Sequence, residues 1–229
     1  PARAVRTLSR RVAILRPEPG NAATATRLRH AGLEPLSLPL FEVHPLDWTP
    51  PDTTAFDGLL LTSANAVRHG GKGLDQTSRL PVLAVGSATA DAARAAGLSV
   101  TRTGSTDVAE LLHDAPDFSR LLWLTGREHT AIEHPSLAAA IAVYASDAIP
   151  LADPALIRDT VVLIHSARAG MQLAAELGRH AIPRAAVRIV AISGKAAAAA
   201  GPGWGAIAIA AAPNDEAMIA AARPLAIDP

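Results

Sequence analysis

The chain contains no cysteine. This excludes disulfides, thiolate metal sites, iron–sulfur clusters and a cysteine nucleophile together. Neither sign of charge dominates, because 21 basic and 21 acidic side chains give a formal net charge of +0. A nucleic-acid binder carries a clustered basic excess and a solvating tail an acidic one, and neither is present. No apolar run approaches the ~18 residues of a membrane-spanning helix. The basic N-terminus, with Arg3, Arg6, Arg10 and Arg11, precedes an apolar run at 12–15. That run is too short for a signal-peptide core and has no cleavage site. The expected setting is cytoplasmic, with neither membrane nor nucleic acid as partner.

What the chain does have is apolar content. Hydrophobic residues make up 49% and charged residues 18%, so a sizeable core is available and disorder is excluded. At about 150 residues per domain, 229 residues make one large domain or two small ones. Roughly a fifth of the chain is Ala, which blurs helix faces because Ala favours helix yet is nearly neutral in burial. Short β-branched or Leu-rich runs read as strands at 11–15, 58–61, 82–85, 99–102, 121–124, 161–165, 188–192 and 206–210. Stretches with helical character follow most of them, at 21–31, 64–69, 88–96, 108–112, 135–140, 167–180, 195–200 and 215–222. Gly32, Gly97 and Gly201 each close an Ala-rich stretch, as helix C-caps do. Strand-then-helix alternation with continuous apolar strands is the pattern of an α/β fold with parallel sheets.

The pattern occurs twice. Segment 56–66 resembles 158–169, with Ser63 and Ser166 103 positions apart, and 83–90 matches 190–197 at a shift of 107. Each unit then ends in strand, small-polar turn and helix. The turns are Ser105-Thr106-Asp107 and Pro213-Asn214-Asp215. A period this long is no solenoid; it indicates two similar α/β domains. Stretches 35–45, with Pro35, Pro39 and Pro45, and 141–150 are apolar but proline-bearing. Proline confines such strands to sheet edges or connectors. Two connectors carry the chain from one domain to the other and back, which makes the first domain discontinuous. The expected organisation is 10–38 plus 149–229, then 47–140, with connectors at 39–46 and 141–148.

Several motifs reduce to bland readings. His69-Gly70-Gly71-Lys72-Gly73 has the wrong spacing for a phosphate loop and reads as a loose loop. Gly201-Pro202-Gly203-Trp204-Gly205 follows a helix and precedes a strand, the reverse of a dinucleotide fingerprint. Glu128-His129 and Glu133-His134 lack the spacing of a helical zinc motif and read as solvated surface, so no metal is expected. His165 ends an apolar strand beside Ser166, but no acid is placed to complete a triad with it.

The hydroxyls at strand ends are more informative. Thr62-Ser63-Ala64-Asn65 and His165-Ser166-Ala167-Arg168 both stand where a strand passes into a helix. So do Val85-Gly86-Ser87-Ala88-Thr89 and Ser193-Gly194-Lys195. Such hydroxyls cap helices. The same C-terminal sheet edge binds ligands in open α/β folds, and its free N–H groups suit carboxylate or phosphate. Arg16, Arg127, Arg168 and Lys195 stand near these edges and read either as a cationic cleft or as surface scatter. Tyr144, the only tyrosine, lies in a connector, where its phenol either packs or donates a hydrogen bond into a cleft.

Taken in order, these pieces resemble the uroporphyrinogen-III synthase family over about 12–222. The residues carrying the resemblance are Leu15-Arg16-Pro17, the run 57–67, the run 83–90, Val143-Tyr144, and the echoes at Ser166 and Ala191-Ile192. The resemblance implies two α/β domains joined by a two-stranded connector, with a cleft between them. It implies a cofactor-free enzyme whose small-molecule substrate is hydroxymethylbilane, a linear tetrapyrrole with eight carboxylates; a monomer is expected because no long apolar stripe demands a partner. This closes to uroporphyrinogen III with loss of water and inversion of ring D. Tyr144 would assist departure of the hydroxyl. Thr62, Ser63, Asn65, Gly86, Thr89, Ser166 and Ala167 would hold acetate or propionate groups, with Arg16, Arg127 and Lys195 supplying charge. The sequence departs from the family at Ala196, where Thr is common. Two other readings compete. One is a two-domain binding protein for small anions without catalysis. The other is a nucleotide-dependent α/β enzyme, against which the missing phosphate-loop fingerprints weigh.

Overall fold

Four strand segments have every residue buried: Val12–Ile14, Gly58–Leu61, Leu121–Gly126 and Val161–Ile164. A strand without a solvent face needs cover on both sides, which parallel sheets flanked by helices provide. The computed structural model describes residues 9–104 and 108–227 and has that architecture. The turn Ser105-Thr106-Asp107, Arg3 and Arg6 lie outside the described residues.

In chain order the elements are β1 (Val12–Ile14), α1 (Gly20–His30), β2 (Pro35–Ser37), β3 (Phe41–Pro45), β4 (Gly58–Leu61), α2 (Ala64–His69) and α3 (Gly71–Gln76). There follow β5 (Val82–Val85), α4 (Ser87–Ala95), β6 (Val100–Gly104), α5 (Val108–His113), β7 (Leu121–Gly126) and β8 (Leu137–Ala148). The chain ends with β9 (Val161–Ile164), α6 (Ala167–Arg179), β10 (Arg188–Ala191), α7 (Gly194–Ala200), β11 (Ala206–Ile209) and α8 (Asp215–Ala226).

The strands form two sheets, β11-β10-β9-β1-β2 and β3-β8-β7-β4-β5-β6. The neighbours run parallel from β11 to β2 and from β8 to β6. At the far edge β3 runs against β8, with Leu46 N–H bonded to Val143 and Ile149 N–H to Leu40. Residues up to Glu42 and from Asp147 onward form one compact unit; Val43–Ser146 form the other. The chain passes between them inside β3 and near the end of β8.

Strand alternation sends successive side chains to opposite faces. In the first unit Ala13, Leu15, Val162, Ile164 and Ile189 face Leu173 and Leu177 of α6 and Ala196 and Ala200 of α7. Val12, Ile14, Val161 and Leu163 face Leu28 of α1 and Met218 and Ala222 of α8. The second unit repeats this scheme. Leu59, Leu61, Leu122 and Leu124 meet α2 and α4, while Leu60, Leu83, Leu121 and Trp123 meet α5.

Two local expectations are corrected. Residues 135–140, expected as helix, lead into strand β8 instead. Ala favours helix, but here the β7 ladder and the following Val143-Tyr144 decide the outcome. The glycine run after His69 is not a loose loop, because α3 starts at Gly71. The indole N–H of Trp48 donates to Gly70 O at 2.9 Å, and its ring lies where a Cβ on Gly73 would stand.

One buried acid ties the first unit together. Glu176 is fully buried on α6, and its Oε2 accepts from Leu151 N–H at 2.9 Å. Its Oε1 accepts from Arg179 and from Gln172. Glu176→Ala leaves a buried N–H without an acceptor, so the first unit should lose about 1–3 kcal/mol in urea unfolding. Glu176→Gln keeps an acceptor for Leu151 and should lose less. Equal losses would contradict this account of the contact.

Candidate functional site

Each unit carries the same device at the C-terminal ends of its central strands: a strand stops, one polar residue caps, and a helix begins. In the second unit, Ser63 Oγ accepts from Asn65 N–H at 3.2 Å and caps α2. Thr62, one residue earlier, accepts at Oγ1 from the Trp123 indole N–H at 3.1 Å, so the buried Trp of β7 fixes the hydroxyl on β4. Asn65 Oδ1 is engaged by Arg68 at 3.3 Å. Gly86 joins β5 to α4 with φ of 81°, a conformation that L side chains rarely adopt. Thr89 is buried in the first turn of α4.

Beside these junctions, β7 ends at Gly126 opposite Tyr144 of β8. The Tyr144 ring covers Gly126 so closely that a Cβ there would lie 2.7 Å from Tyr144 Cζ and 2.9 Å from its hydroxyl. The next residue, Arg127, donates from its backbone N–H to Tyr144 O at 2.8 Å and from Nε to Glu128 Oε1 at 2.6 Å. His129, exposed as expected, also packs edge-on against Trp123 and bonds Gly126 O at 2.8 Å through Nδ1. The His69 ring lies 6.3 Å from that of Tyr144. Burial, then the charges of Arg68 and His44, push His69 below the usual histidine range, so it stands neutral beside the phenol at pH 7.

The first unit has three such caps on its sheet edge. Ser166 accepts from Ala169 N–H at 3.1 Å, and Ala167 opens α6. Ser193 accepts from Ala196 N–H at 3.3 Å, with Lys195 exposed in the first turn of α7. Asn214 accepts from Ala217 N–H at 2.9 Å and caps α8. Arg16 follows β1, and buried Asn21 holds its carbonyl at 2.9 Å.

Sequence reasoning missed the hub of this edge. Asp215, in the first turn of α8, receives His165 Nε2 at 3.0 Å and Arg16 at 3.4 Å on Oδ1. It receives Thr24 Oγ1 and Arg27, both at 2.7 Å, on Oδ2. Burial works to raise its pKa. The hydrogen bonds from His165 and Thr24 and the charges of His165 and Arg16 outweigh that and hold it well below the usual carboxylate range. Asp215 is thus an acid partner of His165 that the sequence did not show. No triad results, because Ser166 Oγ is the helix cap and His165 Nδ1 is buried without a partner among the described residues. The partners of Asp215 lie far away in the chain, so no spacing signal announces them. Only its place in a helix first turn, beside the cap Asn214, is visible in the sequence. Among the described residues no His, Asp or Glu group is clustered to hold a metal, and no helix is long and apolar enough to cross a membrane.

The family model for uroporphyrinogen-III synthase matches residues 22–220. Comparison with curated protein sequences finds no match. Among solved structures the chain is similar to the uroporphyrinogen-III synthetase of Helicobacter pylori, with a TM-score of 0.65 at 16% identity over 94% of this chain and 99% of that one. It is also similar to a mutant uroporphyrinogen III synthase from Thermus thermophilus, with a TM-score of 0.53 at 17% identity over 95% and 98%. At these identities the structures speak for the two-domain fold.

The depressed pKa of Asp215 gives a signed expectation. A carboxylate whose folded pKa lies below its unfolded value near 4 stabilises the fold above that pH and loses the contribution as pH falls further. Asp215→Asn should be less stable than the parent at pH 7, and the gap should narrow progressively as pH falls below about 4 in urea unfolding. A gap that does not change with pH would contradict the assignment.

Proposed function

Because the chain belongs to the uroporphyrinogen-III synthase family, whose members are cyclising enzymes of tetrapyrrole synthesis, we propose that it closes hydroxymethylbilane to uroporphyrinogen III in haem biosynthesis. The observation that carries the reading is the doubled arrangement of helix N-termini at the C-terminal strand ends: among the described residues, three side-chain caps on one unit, and on the other the Ser63 cap and the Gly86 junction with Tyr144 nearby. Backbone N–H groups at a helix start, with the positive dipole end behind them, suit carboxylates. The substrate brings eight. On this reading Thr62, Ser63, Asn65, Gly86 and Thr89 hold some of them and Ser166 and Ala167 others. Arg16, Arg127 and Lys195 lower the cost of gathering so much negative charge.

The chemistry asks little of the protein beyond orientation. Ring D loses its terminal hydroxyl as water, so a proton must reach that oxygen as the C–O bond breaks. The Tyr144 phenol is the donor on this reading. Gly126 and neutral His69 set its surroundings. Closure then proceeds through a spirocyclic intermediate to the inverted ring. Direct closure competes, so catalysis consists of holding the chain in the geometry that inversion needs. The reading includes a cytoplasmic monomer, acting without a cofactor as the family resemblance implies.

The test is the isomer formed. Freshly made hydroxymethylbilane, incubated with the protein and oxidised, should yield porphyrin isomer III, whereas unassisted closure yields isomer I. Isomer I alone from folded protein would contradict the reading and favour an anion-binding protein without catalysis. Tyr144→Phe should keep the fold and slow turnover by about 10²-fold, within the range for a lost general acid. Unchanged turnover would remove Tyr144 from the chemistry. Gly126→Ala should displace the Tyr144 ring and reduce kcat without a change in the residues proposed to hold carboxylates.

A further inference from the structure

Four basic residues were candidates for the sheet edges, and the structure separates them. Arg16 is bound to Asp215, and Arg127 to Glu128. Lys195 is exposed. Arg168 differs from all three. Its guanidinium carbon lies 4.6 Å from the centroid of the Phe41 ring, and that ring is itself buried in the core of the first unit. No carboxylate among the described residues pairs with Arg168, and none of its N–H groups donates to a described residue.

A guanidinium placed over an aromatic face is held there while using none of its donors. The rim of five N–H groups stays available in a geometry that matches a carboxylate two bonds at a time. The position is also an expensive one for a cation. Arg168 stands in the first turn of α6, where the helix dipole opposes positive charge. Nothing in the described fold offsets that cost by pairing the charge. Two residues before it, Ser166 uses an oxygen lone pair for the helix cap and keeps its proton free to donate.

We propose that Arg168, held over the Phe41 ring, is a specificity-determining residue that binds one acetate or propionate carboxylate of the tetrapyrrole through a two-bond pair. This rests on the reading of the chain as a uroporphyrinogen-III synthase and adds to it a residue that the strand-end motifs do not assign. Arg168 touches the substrate periphery and takes no part in bond breaking, so it acts on substrate binding.

The experiment compares the full chain with Arg168→Gln and Arg168→Lys, using hydroxymethylbilane at several ionic strengths and scoring isomer III. Loss of one charge-assisted pair should raise KM about tenfold in Arg168→Gln and leave kcat within about twofold. It should also flatten the fall of kcat/KM with salt. Arg168→Lys keeps the charge but not the planar fork, so its KM should fall between the two. The Tm of Arg168→Gln should match or slightly exceed that of the parent, since a cation leaves a helix N-terminus. An active parent with KM and salt dependence unchanged in Arg168→Gln would overturn the Arg168 assignment and leave the enzyme reading standing. A folded parent that forms no isomer III would overturn the enzyme reading and this assignment with it.

Discussion

A parallel strand that runs directly into a helix creates N–H groups with no partner at the point where the two meet. The rest of this protein depends on how that constraint is met. Ser63, Ser166, Ser193 and Asn214 each accept one of those N–H groups, and Gly86 makes its junction by backbone conformation alone. Each of these caps accounts for one N–H group of its first turn. In an α/β sheet all such junctions fall on one edge. The fold thus gathers helix N-termini in rows as a by-product of its own connectivity, once in each unit.

What differs between the two rows is what stabilises them. In the second unit the support is aromatic and local to β7: Trp123 holds Thr62, His129 packs on Trp123, and Tyr144 covers Gly126. In the first unit it is ionic, with the Asp215 carboxylate joining α1, α8 and the ends of β1 and β9 through four side chains. A buried carboxylate is costly unless its lone pairs are filled. Here they are, and the result is a fixed base for Arg16 and His165. Neutral net charge at the level of the chain therefore coexists with a local order of charges that composition does not reveal.

The legibility of these features followed their range in sequence. Strand β4 at Gly58–Leu61, strand β5 at Val82–Val85 and helix α2 at Ala64–His69 could be read to the residue, because a continuous apolar run bounded by a cap is a local signal. The Ala-rich start of β8 misled for the complementary reason. Ala says helix locally, and only pairing with β7, which sequence does not display, says strand. Asp215 was visible as a helix first-turn acid and nothing more, since His165 and Arg16 lie 50 and 199 positions away. The Phe41–Arg168 stack was hidden in the same way, across two elements with no shared motif.

The central claim is that helix N-termini on both units hold the carboxylates of one substrate. Hydrogen–deuterium exchange with and without the stable oxidised product, uroporphyrin III, tests it most directly. The account predicts slowed exchange of the first-turn amides of α2 and α4 and also of α6 and α7, with the remaining sheet edges unchanged. Protection confined to one unit, or lying away from these turns, would contradict it.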